Sequence, residues 1–459
     1  MENQLKKQYG LPTAISMVVG IVIGSGVFFK ATKVLSLTGG SMLWSLFTVA
    51  VVGLIMMTCS YVFATLANRY EKVNGIVDYA EAALGPKYGY YMGWFLTILY
   101  YPSLTTCLAW VSAQYTCVLF GLEPYGGAHV GIGALYLVGG FVLNALSPRL
   151  AGKFQVSTTV IKLIPLILMA VVGSIAGLFN GLTVEAFTTV ATDVGSGGIF
   201  GAIVAFAFSY EGWIIATSIN AEIKNSKKNL PRALIIGSIV VIAVYLAYFI
   251  GLTGSMHLSE IMAAGGDLPK LAFQGVFGNI AGTAVMVFIV ISCLGTMNGL
   301  MMGCCRGIYS VAARGEGPAP KLFSKVDSQT NMPVNSAVFG LLLCGIFYFY
   351  WQVCFWDTRI TGVTSLPAFL SWEPDELPII TLYAGYIPIF LSLIKTEKDL
   401  GVFKRFITPI LGVLSCIFMV FCAIYAYRMD SVYYLVVFGV VMLLGFYFDK
   451  RTKAKSTLS

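Results

Sequence analysis

An apolar run from about Leu11 to Leu37 is long enough to cross a bilayer, yet Gly24-Ser25-Gly26-Val27-Phe28 interrupts it midway. Unwound backbone in hydrocarbon leaves N–H and C=O groups unpaired at high cost, so it persists only where it lines a protein cavity or grips a ligand. A second break answers the first. In the sixth apolar segment, Phe208-Ser209-Tyr210-Glu211-Gly212-Trp213 sets a carboxylate and a glycine where a spanning helix carries apolar side chains. Two interrupted helices at corresponding positions of two halves point to a binding site near the bilayer midplane.

The rest of the chain is read as membrane-embedded too. Of its 459 residues, 58% are hydrophobic and 11% charged, more apolar surface than a soluble domain can cover. Apolar runs of spanning length recur about twelve times, and no stretch is left for a soluble domain. The polar start MENQLKKQYG and the long, glycine-broken run behind it do not fit a cleavable signal.

Positive residues flank alternate loops: Lys6 and Lys7 before the first span, Arg69, Lys72 and Lys87 after the second, Arg149 and Lys153 after the fourth. Lys224 to Arg232, Arg314 to Lys325, Lys395 to Arg405 and Lys450 to Lys455 continue the series, while Lys30, Lys33, Lys270, Arg359 and Arg428 fall to the opposite loops. Lysine and arginine stay cytoplasmic, which puts both termini in the cytoplasm of a multi-pass cell-membrane protein. Topology accounts for the net charge of +8, so no nucleic-acid partner is expected. The ten cysteines lie almost entirely in apolar spans, with Cys354 alone placed near the outer surface, and show neither disulfide nor metal spacing.

The expected fold is an all-α membrane protein of about twelve helices in one transmembrane domain. Residues 12–178 form a first five-helix repeat, 199–394 an inverted second one, and 406–448 two peripheral helices. The loop from Asn68 to Gly89 reads as a short helix on the cytoplasmic face, and Leu258 to Gln274 as a partly re-entrant external gate.

Around the first break, Ser25 and Gly26 open the second half-helix, whose free N–H groups and positive dipole end suit a carboxylate. The bland alternative is close helix packing by Gly20, Gly24 and Gly26. In the sixth span, carbonyls freed around Phe208 and Ser209 suit an ammonium, so the two breaks together read an amino acid's zwitterion, with Phe208 as an aromatic gate. Glu211, read as the one carboxylate deep in a span, can hold a cationic substrate, exchange protons or cap the broken helix. Lys162, read as the one lysine well inside a span, brings a fixed charge to where a coupling sodium would sit, unless it snorkels to the surface. His129 and His257 are expected near the outer surface, and no metal site, cofactor or enzymatic constellation is evident.

These motifs resemble the amino acid, polyamine and organocation (APC) superfamily, in its L-amino acid transporter (LAT) branch. The resemblance covers nearly the whole chain. It rests on VVGIVIGSGVF, FSYEGW, NAEIKNSKKNLPRAL, SCLGTMNG and ARGEGPAPKLFSKV. It implies the leucine-transporter fold (LeuT type), sodium-independent transport and exchange of one amino acid for another. Carried over, the carboxylate site falls on Ser25, Gly26 and Val27, the amine-binding carbonyls on Val22, Phe208 and Ser209 beside Glu211, and the branch's fifth-span lysine on Lys162. Ser209 stands where an alanine is usual, and Ile214 where some relatives carry asparagine. The heavy-chain-binding animal members use a cysteine after the third span, which GLEPYGGAHV lacks. A bacterial chain without a heavy-chain subunit is therefore expected. Its partners would be the bilayer and L-amino acid substrates, small neutral ones such as alanine, serine and cysteine, with cationic ones second. A proton-coupled symporter and a membrane amino-acid sensor are the rivals.

Overall fold

The computed structural model describes residues 10–70, 75–189, 194, 198–214, 223–330, 332–356, 367 and 372–456. Lys6, Lys7, Lys72 and Arg359 of the charge alternation, and the second half of the sixth span, lie outside the described residues. No β-strand occurs among the described residues. The first span is a bent pair, Leu11–Val22 and Gly26–Leu37, whose halves meet at 48°. The second to fifth are Met42–Arg69, Pro86–Phe120, Gly127–Leu146 and Leu150–Asn180. The short apolar helix Gly198–Tyr210 occupies the sixth position, followed by Ser226–Leu252, Gly282–Ala312 and Val334–Cys354. Leu377–Thr396, Phe403–Tyr427 and Met429–Thr452 complete the set. The face where Leu11 lies is called near, and that where Leu37 lies, far.

Helix is forced on these segments because a helix satisfies its own backbone in hydrocarbon. Small residues then decide which helices meet. The fifth and seventh spans touch backbone to backbone, Gly173 and Gly177 against Gly251 and Gly254, where no β-carbon fits. Gly53 of the second span lies under Ile242 of the seventh and beside the Tyr210 hydroxyl. The eleventh span is drawn inward: Phe200 packs edge-on against Phe418, Phe421 and Tyr425. The twelfth is peripheral, with Leu443 and Val436 more than 60% exposed.

Two short helices lie at the ends of the spans. Ile76–Leu84 lies on the near face, held by Arg314, which pairs with Asp78 at 2.5 Å and Glu81 at 3.2 Å. On the far face Leu258–Ala263 leads through a short turn at Gly265–Asp267 into a helix that kinks at Gly278, φ 80°, before continuing as the eighth span. Gly266 rests against Gln114 of the third span, and Gly265 accepts a hydrogen bond from Thr32 of the first. This segment lies across the far ends of the first and third spans.

Candidate functional site

The first span's helix ends at Val22, Ile23 turns extended with ψ 113°, and Ser25 starts the second helix. The sixth span tightens into a 3₁₀ turn at Phe208–Tyr210, after which Glu211 is extended. Gly212 follows at φ +96°, a left-handed conformation that costs glycine nothing. The two breaks touch. A β-carbon on Gly26 would lie 2.6 Å from the Ser209 Cα, and one on Gly212 would lie 2.8 Å from the Ile21 side chain. Glycine at 26 is thus required by close packing of the two breaks, and any role toward a ligand comes on top of that.

Three side chains cover the carbonyls released by the breaks. Lys162, fully buried, donates to the Gly20 carbonyl at 2.5 Å and to Thr296 Oγ1 at 2.8 Å. Thr296 lies 3.2 Å from the Ile23 carbonyl. The Tyr245 hydroxyl lies 2.8 Å from the Ser209 carbonyl and 3.4 Å from that of Val22, bringing two of the expected amine-binding carbonyls onto one point. Phe208 O instead accepts from Glu211 N at 3.2 Å. Lys162 does not snorkel; it joins the first, fifth and eighth spans.

Between the breaks lies a cavity of about 20 Å³, lined by Ser25, Gly26, Phe208 and Glu211 and walled by Leu104, Leu108, Thr296 and Leu300. That is room for about one water, so admitting anything larger needs the first and sixth spans to part. Ser25 and Ser209 are both buried. Among the described residues the Ser209 hydroxyl has no hydrogen-bond partner, and that of Ser25 has only the Cys293 thiol beside it. Glu211 accepts from Tyr100 at 2.6 Å and faces Tyr383 and the Gly212 N–H. Tyr100 is aimed there by a π-helical turn, Leu96–Tyr100, next to Pro102, which cannot donate to the carbonyl four residues back.

The amino acid permease family model matches residues 9–446, nearly the whole chain. The chain belongs to the amino acid permease family. This places it among multi-pass amino-acid transporters, not enzymes. It is 29% identical to the serine/threonine exchanger SteT of Bacillus subtilis (strain 168), over 86% of this chain and 85% of that one. Identity is 26% to the cadaverine/lysine antiporter of Escherichia coli (strain K12), over 90% and 88%. It is also 26% to the human b(0,+)-type amino acid transporter 1, over 97% and 88%. The solved structure of MhsT in complex with L-phenylalanine superposes with a TM-score of 0.56 at 14% identity, covering 93% of this chain and 97% of that one. The fold is that of the leucine-transporter type.

Above the cavity, on the far side, the permease carries a charge cluster that its sequence conceals. Lys30 and Lys33, expected in an outward loop, are on the first span's second helix, and Lys30 is 2% exposed. Lys30 pairs with Asp375 at 2.6 Å and Glu376 at 2.5 Å; Lys33 pairs with Glu373 at 3.0 Å and Glu376 at 2.9 Å. Tyr427 donates to Glu376 as well. The carboxylates immediately precede the tenth span, so the cluster ties the far half of the first span to the tenth and eleventh. Lys30 also sits over the Phe208 ring, 5.6 Å from its centroid. Burial pushes Asp375 up to about 6 against the pull of Lys30. For Glu376 burial pulls the same way, but the two lysines outweigh it and hold the carboxyl at about 2.

Glu211 is therefore not the only buried carboxylate, nor Lys162 the only buried lysine. The missed signal was distance along the helix: Lys30 lies four residues after Gly26, one full turn into a helix that begins at the break. His129, expected near the outer surface, lies at the far end of the fourth span and is buried against the third, with Nε2 2.9 Å from the Trp110 carbonyl. His257 is exposed and pairs with Glu185 at 2.8 Å. All ten cysteines are buried, Cys354 included. Cys59 and Cys416, and Cys304 and Cys344, come within 3.9 Å of each other.

Proposed function

We propose that this permease is a sodium-independent exchanger of small neutral L-amino acids, binding them between the first and sixth spans with access alternating around that point. The observation that carries the reading is the meeting of the two helix breaks. Gly26 lies on the Ser209 backbone, the Gly26 and Val27 N–H groups start a helix, and the Val22 and Ser209 carbonyls converge opposite. An α-carboxylate fits the N–H side and an α-ammonium the carbonyl side. Leu104, Leu108 and Leu300 leave a short apolar pocket for the side chain, and Thr296 and Ser25 give it a polar corner. A serine- or threonine-sized substrate suits that lining, and the activity in the name of SteT runs the same way. The cadaverine/lysine antiporter keeps a second reading open, with Glu211 holding a cationic side chain.

Sodium independence rests on Lys162, whose ammonium already occupies the carbonyl and hydroxyl that a cation would need. Cytoplasmic termini, the division into repeats 12–178 and 199–394, and function without a heavy-chain subunit belong to the same reading. Counterflow in proteoliposomes tests it. Vesicles preloaded with serine should take up labelled serine at least tenfold faster than empty ones. Equal uptake into empty vesicles under a pH gradient would instead establish a proton symporter, and binding without any uptake a sensor.

A further inference from the structure

A cavity of about 310 Å³, far larger than the one between the breaks, lies behind the tenth span, enclosed by the third, tenth, eleventh and twelfth. Its wall is apolar: Met92, Phe95, Ile380, Val420, Phe438 and Met442. Of the five hydroxyls on it, four are engaged with one another or with backbone. Thr381 donates to Tyr434 at 2.7 Å, Tyr88 to the Gly385 carbonyl at 2.8 Å, and Ser431 to the Ala423 carbonyl at 3.1 Å. Buried water needs two to four polar partners, so this space does not suit water. Left unfilled, it would forfeit the dispersion contacts that close packing supplies. Its mouth is flanked by Ile424 and Leu435, 55% and 51% exposed, in the eleventh and twelfth spans. Around them lie other exposed apolar residues, Phe421, Val432 and Val436, a surface that meets hydrocarbon. We propose that this cavity is a binding site for one acyl chain of a bilayer lipid, entering between the eleventh and twelfth spans.

The site bears on the tenth span from behind. Ile380, Thr381, Ala384 and Gly385 line the cavity, whereas Tyr383 lies next to Glu211 on the opposite side of the same helix. Asp375 and Glu376 immediately precede that helix. A tail in the cavity therefore holds the tenth span forward, against the third span and under the ion pairs.

The test uses the full chain in phosphatidylethanolamine/phosphatidylglycerol vesicles doped with a phospholipid carrying a mid-chain diazirine, photolysed and mapped by peptide mass spectrometry. Adducts are expected on the interior residues Met92, Phe95 or Phe438 as well as on exposed Leu443 and Leu444. Ala384→Phe, which fills the cavity, should cut the interior adducts at least fivefold and leave those on Leu443 and Leu444 unchanged. Adducts confined to Leu443 and Leu444 in the natural protein would overturn the site, as would interior labelling that Ala384→Phe leaves intact. Should Ala384→Phe not fold, Ala423→Leu fills the same space from the eleventh span, and the labelling pattern of the natural protein decides alone.

Discussion

Replacing Lys30 by methionine keeps the bulk of the side chain beneath Phe29 and Phe208 but removes the ammonium that Asp375 and Glu376 share. Lys33 still reaches Glu376 at 2.9 Å, whereas for Asp375, fully buried, the Cys107 thiol 3.9 Å away is the one hydrogen-bond partner left among the described residues, with Lys33 pulling on it without an ion pair. Orphaning one member of a buried ion pair costs about 3–5 kcal/mol. Protonation sets a ceiling on that cost. Taking an aspartate from its ordinary value of 3.8 to the neutral acid at about pH 7.5 costs about 5 kcal/mol, at 1.36 kcal/mol per unit. The whole penalty falls on the state in which the cluster is closed, because an opened cluster is solvated. The equilibrium between closed and open far faces should thus move by a factor of roughly 10²–10⁴ toward open. Cys107 is a natural reporter, wholly buried just beneath the cluster. Its modification by a membrane-impermeant methanethiosulfonate, followed by mass spectrometry, should accelerate at least tenfold in Lys30→Met. Adding Asp375→Asn removes the orphaned charge and should bring the rate back toward that of the natural protein. A folded Lys30→Met that protects Cys107 as before, or a double variant as reactive as the single one, would refute the argument.

Lys162→Ala should slow exchange several-fold while substrate binding, measured on the same purified protein, stays within about tenfold, because the lysine ties spans together and does not line the cavity; loss of binding in a folded variant would make it a direct ligand. Replacing sodium by choline should leave the initial uptake rate within about twofold, and a steep sodium dependence would contradict the role given to Lys162. Asp375 faces Lys30, Lys33, Glu373, Glu376 and Cys107, and its closed-state value of about 6 exceeds the 3.8 of a solvated aspartate. The closed state therefore binds the proton more tightly, and acidification through pH 6 should stabilise it. Exchange should fall below that pH, and an Asp375→Asn variant that keeps the same inflection would show that another group titrates.

The two breaks were legible because glycine and a carboxylate inside apolar runs have few structural excuses. Lys162 was legible for the same reason. The far cluster was not, because its lysines and their carboxylate partners lie 340 to 346 residues apart and Lys30 looked like an ordinary flanking lysine. Its position one turn past Gly26 was in the sequence, but only a partner makes such a lysine buried, and nothing in the sequence marks Glu373, Asp375 and Glu376, just before the tenth span, as that partner. Tyr245 was invisible for a different reason: a tyrosine in an apolar helix carries no sign of where its hydroxyl ends. The same holds for Tyr100, whose direction depends on a local widening of the helix. Hydropathy reports burial in lipid and so marks where spans lie, whereas the inward pull of the eleventh span depends on aromatic contacts that hydropathy does not record.

The break in the first span does more than free backbone groups. Its near half is held by Lys162 on the Gly20 carbonyl and lies against Thr159, Val18 packing on Gly237 of the seventh span. Its far half is held by Lys30 and Lys33 on the tenth span's carboxylates. These two sets of contacts share no residue and lie on opposite sides of residues 23–25. An unbroken helix would have to release both at once, adding their costs. A helix bent by 48° at an extended residue and two glycines can release one set while the other stays closed, which is what alternating access requires of it. Thr296 and Tyr245 sit at the joint itself, against the Ile23, Val22 and Ser209 carbonyls. They cover backbone groups that either motion would otherwise leave unpaired in a dry interior.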